Sequence, residues 1–124
     1  MKPNPVVWFE IYVADIERAR RFYEHVLQTT LTKLDDPTGT SEMWSFASSE
    51  EAGGAAGALV RMDGVSPGGG GTLVYFACDD CAVEAARVEA AGGQVMRPKF
   101  AIGPHGHIAL VADTEGNMVG LHSN

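Results

Sequence analysis

The feature that most constrains this chain is a repeat. Residues 6–27, VVWFEIYVADIERARRFYEHVL, return in altered form as residues 72–92. In the first copy, residues 6–13 are rich in β-branched and aromatic side chains, Asp15 offers a helix cap, and Ile16, Ala19, Tyr23 and Val26 recur at helical spacing. Strand, cap and helix is the expected order. At a shift of 64, Phe9 falls on Leu73, Ile11 on Tyr75 and Asp15 on Asp79; past the cap the best shift is 65, with Ile16 on Cys81, Tyr23 on Val88 and Val26 on Ala91. A chain of 124 residues is one domain by size, and two short repeats within it must share one core. Neither half is expected to be stable alone.

The intervening segments extend each copy to the same plan. After the first helix, residues 31–34 and 43–47 read as strands separated by the turn-forming run Asp35, Asp36, Pro37, Thr38, Gly39. Residues 48–57 are small, acidic and glycine-rich, a loop, and 58–62 give a fourth strand. Residues 63–71, DGVSPGGGG, form the linker, because successive glycines are held poorly in helix or strand. The second copy then predicts a strand over 72–78, a helix over 80–91 stopped by Gly92 and Gly93, and strands over 94–99, 107–112 and 118–122, the last two joined by the DTEGN turn. The fold class is therefore α+β, two βαβββ modules, about 6–62 and 72–124.

Composition narrows the function classes. Hydrophobic residues at 45% with 20% charged are ordinary for a folded globular chain. A formal charge of −7 with nine Lys and Arg argues against nucleic-acid binding, which rests on clustered positive charge. Arg18, Arg20 and Arg21 alternate with Glu17 and Glu24 and read as a solvated helix face. The N-terminal run has no uninterrupted apolar stretch of signal-peptide type and no segment reaches membrane-spanning length, so the cytoplasm is the expected compartment and no membrane partner is expected.

Chemistry concentrates in few places. In the first strand Trp8, Glu10 and Tyr12 share one face and Phe9, Ile11 and Val13 the other. The second set is a core face; two aromatics around a carboxylate suit a strand whose other face lines a cavity, or one that is half exposed. The Cys78-Asp79-Asp80-Cys81 sequence has redox spacing, but its two carboxylates oppose thiolate formation and Cys81 takes the core position of Ile16, so buried unreactive thiols are expected. His105 and His107 sit at a glycine-rich strand start and His122 in the last strand, each suited to metal, proton or hydrogen-bond roles. His25, beside Glu24, is expected to be exposed.

These segments, WFEIYVADIERARRFYEHVL, TLVYFACDD and VADTEGNMVGLHS, resemble the vicinal oxygen chelate superfamily, which includes glyoxalase I, extradiol dioxygenases and the bleomycin-resistance proteins. The resemblance covers nearly the whole chain. It implies a curved mixed sheet around one cavity and a homodimer, and in many members a divalent metal held by a His opening each first strand and a Glu closing the last. Counting seven residues before each cap lands on Trp8 and Thr72, and seven after Asp113 on Gly120. Indole, hydroxyl and glycine make a poor ligand set, so no cofactor is predicted and a divalent metal is disfavoured. The chain is similar, more closely, to bacterial proteins described as glyoxalase-related, which share the FEI strand, a GTLVYF-like second opening and the DTEGNxxGLHS ending.

The leading expectation is a small, planar or partly aromatic ligand in the cavity, with Trp8, Glu10, Tyr12, Thr72 and His122 facing it and Trp44 and Arg61 as further candidates whose strand phase is open. An alternative is a lyase or isomerase with Glu10 as base, its carboxyl raised by an apolar setting, and His107 or His122 as acid. A variant relocates a metal to Glu10, His107 and His122. A third reading is a protein that sequesters a toxic compound, where acidic charge would favour cationic drugs.

Overall fold

The computed structural model describes residues 3, 4, 6, 8–36, 39–69 and 73–124, with the His105 side chain left aside. Thr72, one of the expected cavity residues, lies outside that set. The elements run β1 (Trp8–Tyr12), α1 (Ile16–Leu27), β2 (Thr32–Leu34), β3 (Ser41–Ser45), β4 (Ala56–Met62), β5 (Val74–Ala77), α2 (Cys81–Arg87), β6 (Gln94–Ala101), a 3-10 turn (Gly103–His105), β7 (His107–Ala112) and β8 (Met118–Ser123). Two βαβββ modules are present. Their strands make two four-stranded mixed sheets, ordered β1-β4-β3-β2 and β5-β8-β7-β6. In each, the first strand runs parallel to the last (Glu10 opposite Ala58, Tyr75 opposite Gly120) and the other pairs are antiparallel. Both β1 and β5 are therefore edge strands.

Helix α1 forms where its pattern says it should. The Asp15 carboxylate accepts from the Arg18 amide at 3.0 Å, and the helix buries Ile16, Ala19, Phe22, Tyr23 and Val26. It ends at Gln28, whose left-handed backbone, φ 50°, is supported by its side-chain amide donating to the His25 carbonyl at 2.6 Å. The solvated-face reading holds for exposed Arg21, not for its neighbours. Arg18 reaches a buried carboxylate of module two, and the Arg20 guanidinium lies 3.6 Å from the Trp44 ring centroid while pairing with Glu17.

Helix α2 is shorter than the predicted 80–91. Beyond Arg87 the chain continues in hydrogen-bonded turns, with the Gly92 amide donating to the Glu89 carbonyl and the Gly93 amide to that of Val88. Its N-cap is Asp80, whose carboxylate accepts from the Ala82 amide at 3.0 Å and from Lys99 Nζ at 2.9 Å. Asp15 thus corresponds to Asp80, and the two modules align at a shift of 65 through the strand as well as the helix. The Asp79-Asp80 doublet hid this, since either residue could cap. A slip of one residue turns every side chain of a strand over. Tyr75, which a shift of 64 lays over buried Ile11, is in fact 48% exposed, while Phe76 packs on the core.

The core is common to both modules. Ile11, Val13, Leu59, Ala109, Val111, Val119 and Leu121 from the sheets meet the buried faces of the helices. Phe9, Phe46, Phe76 and Tyr23 interlock, with Phe9 edge-on to Phe76 at 5.8 Å and Tyr23 edge-on to Phe46 at 5.6 Å. Cys81 is fully buried and Cys78 half-buried; both are free. Burial first, and then the Glu84 carboxylate, pushes the Cys78 thiol up to about 12, which keeps it a thiol. No helix among the described residues is long and apolar enough to cross a membrane.

Candidate functional site

Strand alternation decides which candidates meet. On β1, Phe9 and Ile11 face the helices, so Trp8, Glu10 and Tyr12 occupy the other face. There they form a hydrogen-bonded ladder. The Tyr12 hydroxyl donates to Glu10 Oε1 at 2.7 Å and the Trp8 indole N–H to Glu10 Oε2 at 3.2 Å. The hydrogen bond to Glu10, then burial and the carboxylate's charge, raises the Tyr12 phenol, so it stays a donor. Glu10 itself is exposed, and both of its carboxylate oxygens accept hydrogen bonds from these neighbours.

Two cavities flank this carboxylate. One, of about 480 Å³, is lined by Val6, Trp8, Phe9, Glu10 and Ala55 of module one and by Leu73, Val74 and Tyr75 of module two. The other, of about 250 Å³, lies on the Tyr12 side and is closed by Ser66, Gly68 and Gly69 of the linker and Asn117 to Val119. Glu10 and Val74 line both. No Lys, Arg or His is among the described lining residues of either.

The register places the other candidates elsewhere. Trp44 pairs with Leu59 and Glu42 with Arg61, which puts Trp44 and Arg61 on the helix side; Trp44 packs on the core under Arg20, and Arg61 pairs with Asp63 at 3.2 Å. Neither lines the cavities. His122 alternates with core Leu121 and shares the Tyr75 and Gly120 face. His107 pairs with Ser123 and shares the face of core Ala109 and Val111, so it points to the helix side near Asp80. Its Nδ1 is buried without a partner. Glu10 and His107 are therefore on opposite faces and form neither an acid–base pair nor, with His122, a metal triad. Among the described residues no three His, Cys, Asp or Glu converge as ligands.

What positions the ladder lies in the DTEGN turn, whose role sequence reasoning missed. Glu115, its side chain fully buried, accepts from the Ala14 and Asp15 amides at 3.0 and 2.9 Å, from Arg18 Nε at 2.6 Å and Nη2 at 2.8 Å, and from the Thr114 hydroxyl. Burial alone would raise this carboxyl, but the Arg18 guanidinium, the two amides and Thr114 outweigh it and hold it at about 2. Asp113 accepts from the Tyr23 hydroxyl at 2.7 Å and from two turn amides. The Asn117 side chain donates to the Tyr12 carbonyl at 2.8 Å and accepts from the Gly68 amide at 2.7 Å, joining β1, the turn and the linker. Acidic residues beside a turn glycine, with no ionic partner nearby in sequence, were the available signal.

Such a paired-module architecture is that of the Glyoxalase/Bleomycin resistance protein/Dioxygenase superfamily, whose sequence profile matches residues 6–121. The chain belongs to that superfamily. It is 31% identical over 117 residues to the Mycobacterium bovis protein named "Putative glyoxylase CFP32", a match covering 92% of this chain and 43% of that one. Among solved structures it superposes on a variant of glyoxalase I from Zea mays with a TM-score of 0.75 and 26% identity, covering 98% of this chain and 46% of the enzyme. It also superposes on TnmS3, an antibiotic binding protein from Streptomyces sp. CB03234, with a TM-score of 0.68 and 28% identity over 99% and 98% of the two chains. The chain spans less than half the length of the mycobacterial relative and of the maize enzyme, and nearly all of TnmS3.

The positions that the resemblance assigns to metal ligands do not fit a metal here. Trp8 uses its only polar atom to donate to Glu10. With Asp80 as the true cap, the residue matching Trp8 is Leu73, not Thr72, and it has no donor atom. Gly120 lacks a side chain, and the space is taken: a Cβ there would lie 2.1 Å from Tyr75 Cδ1 and 2.3 Å from Cε1.

Proposed function

We propose that this chain is a small-molecule binding member of the superfamily, taking a planar or partly aromatic organic ligand beside Glu10 without the usual metal. The observation that carries this is the ladder. Two donors fix both carboxylate oxygens of Glu10 in the lining of an aromatic-walled cavity, which is an arrangement for recognition by a preset charge and a flat surface. The unsuited residues at the three chelating positions support the metal-free part of the reading. TnmS3, similar over its full length, is named for antibiotic binding, and sequestration of a toxic compound is the corresponding role here.

Catalysis by Glu10 is the second reading, with His122, which shares the sheet face of Gly120 and Tyr75, as its candidate acid. A thermal-shift screen of a small-organic library, repeated on Trp8→Ala and Glu10→Gln, tests the proposal. Compounds that stabilise the wild type should lose most of their shift in both variants. Unchanged shifts in both would remove the ladder from the binding site. Raised tolerance of a bound drug on expression, with the drug recovered intact, supports sequestration; a recovered product supports the catalytic reading.

A further inference from the structure

The chain places two large aromatics from different modules on one cavity. Trp8 of β1 is 40% exposed and Tyr75 of β5 is 48% exposed, and both line the 480 Å³ space with Glu10. Scattered singly, such residues need no explanation, but two large exposed aromatics on one cavity form a patch of the kind that marks a ligand-binding groove. The Tyr75 ring lies down on Gly120, its cross-strand partner, so closely that any Cβ there would collide with it. One ring face is thereby spent on the backbone of β8. The remaining surface is exposed and borders the cavity.

Charge selects the occupant. Among the described lining residues, Glu10 is the single ionisable group of the larger cavity apart from the Tyr75 phenol, and neither cavity has a basic side chain. Its neighbours Trp8 and Tyr12 supply neutral hydrogen bonds but no counter-charge. We propose that Tyr75 is the second wall of a clamp for a planar organic cation, facing Trp8 across the module boundary, with Glu10 as counter-charge and Gly120 as the seat of the Tyr75 ring. This rests on the cavity being the binding site, and it adds the sign of the ligand's charge and a specificity-determining residue from module two. A flat cation gains from ring stacking, from cation–π attraction and from the fixed carboxylate together.

The competing role for Tyr75 is purely structural, an aromatic covering a glycine on a sheet. Three acridines that share one ring system separate the roles: 9-aminoacridine as the cation, acridine as the neutral form and acridine-9-carboxylate as the anion, titrated at pH 7.5 into the full chain and read by fluorescence polarisation. The wild type should bind the cation about tenfold more tightly than acridine, with the anion weakest. Glu10→Gln should erase that preference. Tyr75→Leu, which still covers Gly120, should weaken the cation about tenfold, while Tyr75→Phe stays within about threefold of wild type. Gly120→Ala, which must displace the ring, should fall between them.

Tyr75→Leu binding like wild type while Trp8→Ala loses affinity would overturn the clamp and leave the cavity reading standing. No binding of any of the three, or preference for the anion, would overturn the planar-cation assignment. Binding that neither Trp8→Ala nor Glu10→Gln changes would sink the cavity reading itself.

Discussion

The two modules share a plan but not a closure. Module one joins β3 to β4 through residues 46–55, mostly exposed, and the hydrogen bonds described for that loop stay within it and its own β4 strand. Module two joins β7 to β8 through residues 113–117, in which Asp113 and Glu115 are buried and bonded to α1, to its N-terminal amides and to Arg18. Among the described residues, helix α2 receives nothing comparable from module one at its start, where Asp80, Lys99 and Ser123 all come from its own module. The tie is one-way. A duplicated fold has used one of its two equivalent turns to lock the modules together, and in doing so has fixed β1, the strand that carries the ladder.

The largest effect should come from Glu115. Glu115→Ala leaves Arg18 and the Ala14 and Asp15 amides without their acceptor and should lower stability by about 3 kcal/mol in urea denaturation. The pH dependence has a definite sign. The folded carboxyl lies at about 2 and the ordinary value is 4.5, so its contribution is complete above 4.5 and is lost as pH falls through about 2. The stability gap between wild type and Glu115→Gln should therefore close across that window; a gap constant from pH 6 to 2.5 would contradict the geometry.

Tyr23→Phe removes a buried donor to Asp113 and should cost about 2 kcal/mol. Burial, then the Asp113 charge, keeps the Tyr23 phenol well above its usual range, so this loss should not vary between pH 6 and 9. Asn117→Ala frees the Tyr12 carbonyl and the Gly68 amide and should cost about 1 kcal/mol, with faster proteolytic nicking in residues 63–69. The smallest effect belongs to the other module. Glu50→Ala with Glu51→Ala, in the exposed loop of module one, should stay within about 0.5 kcal/mol of wild type. A loss there comparable to that of Asn117→Ala would show the two closures to be equivalent after all.

Much of the fold was legible because periodicity and turn chemistry are local. The α1 cap and its buried stripe, the DTEGN turn and the order of ten of the eleven observed elements, all but the 3-10 turn, follow from neighbours within a few residues. The site was only half legible. Trp8, Glu10 and Tyr12 share a face by the period of a strand, and they do meet. Trp44, Arg61 and His107 depended on phase, which is set by pairing with Leu59, Glu42 and Ser123 across the sheets. Tyr75 was lost to one residue of register, through two adjacent aspartates able to cap the same helix. Arg18 and Glu115 lie 97 positions apart, and no local pattern announces such a pair.

The proposed role of Glu10 is to serve an organic ligand in a cleft whose chelating positions do not suit a metal. Elemental analysis of untagged protein, with thermal shifts against zinc, nickel, manganese and iron(II), tests that most directly. Metal well below one ion per chain and no stabilisation by any of the four is the predicted result. Stoichiometric metal that disappears in Glu10→Ala and in His122→Ala would contradict it and make a relocated metal centre the working chemistry.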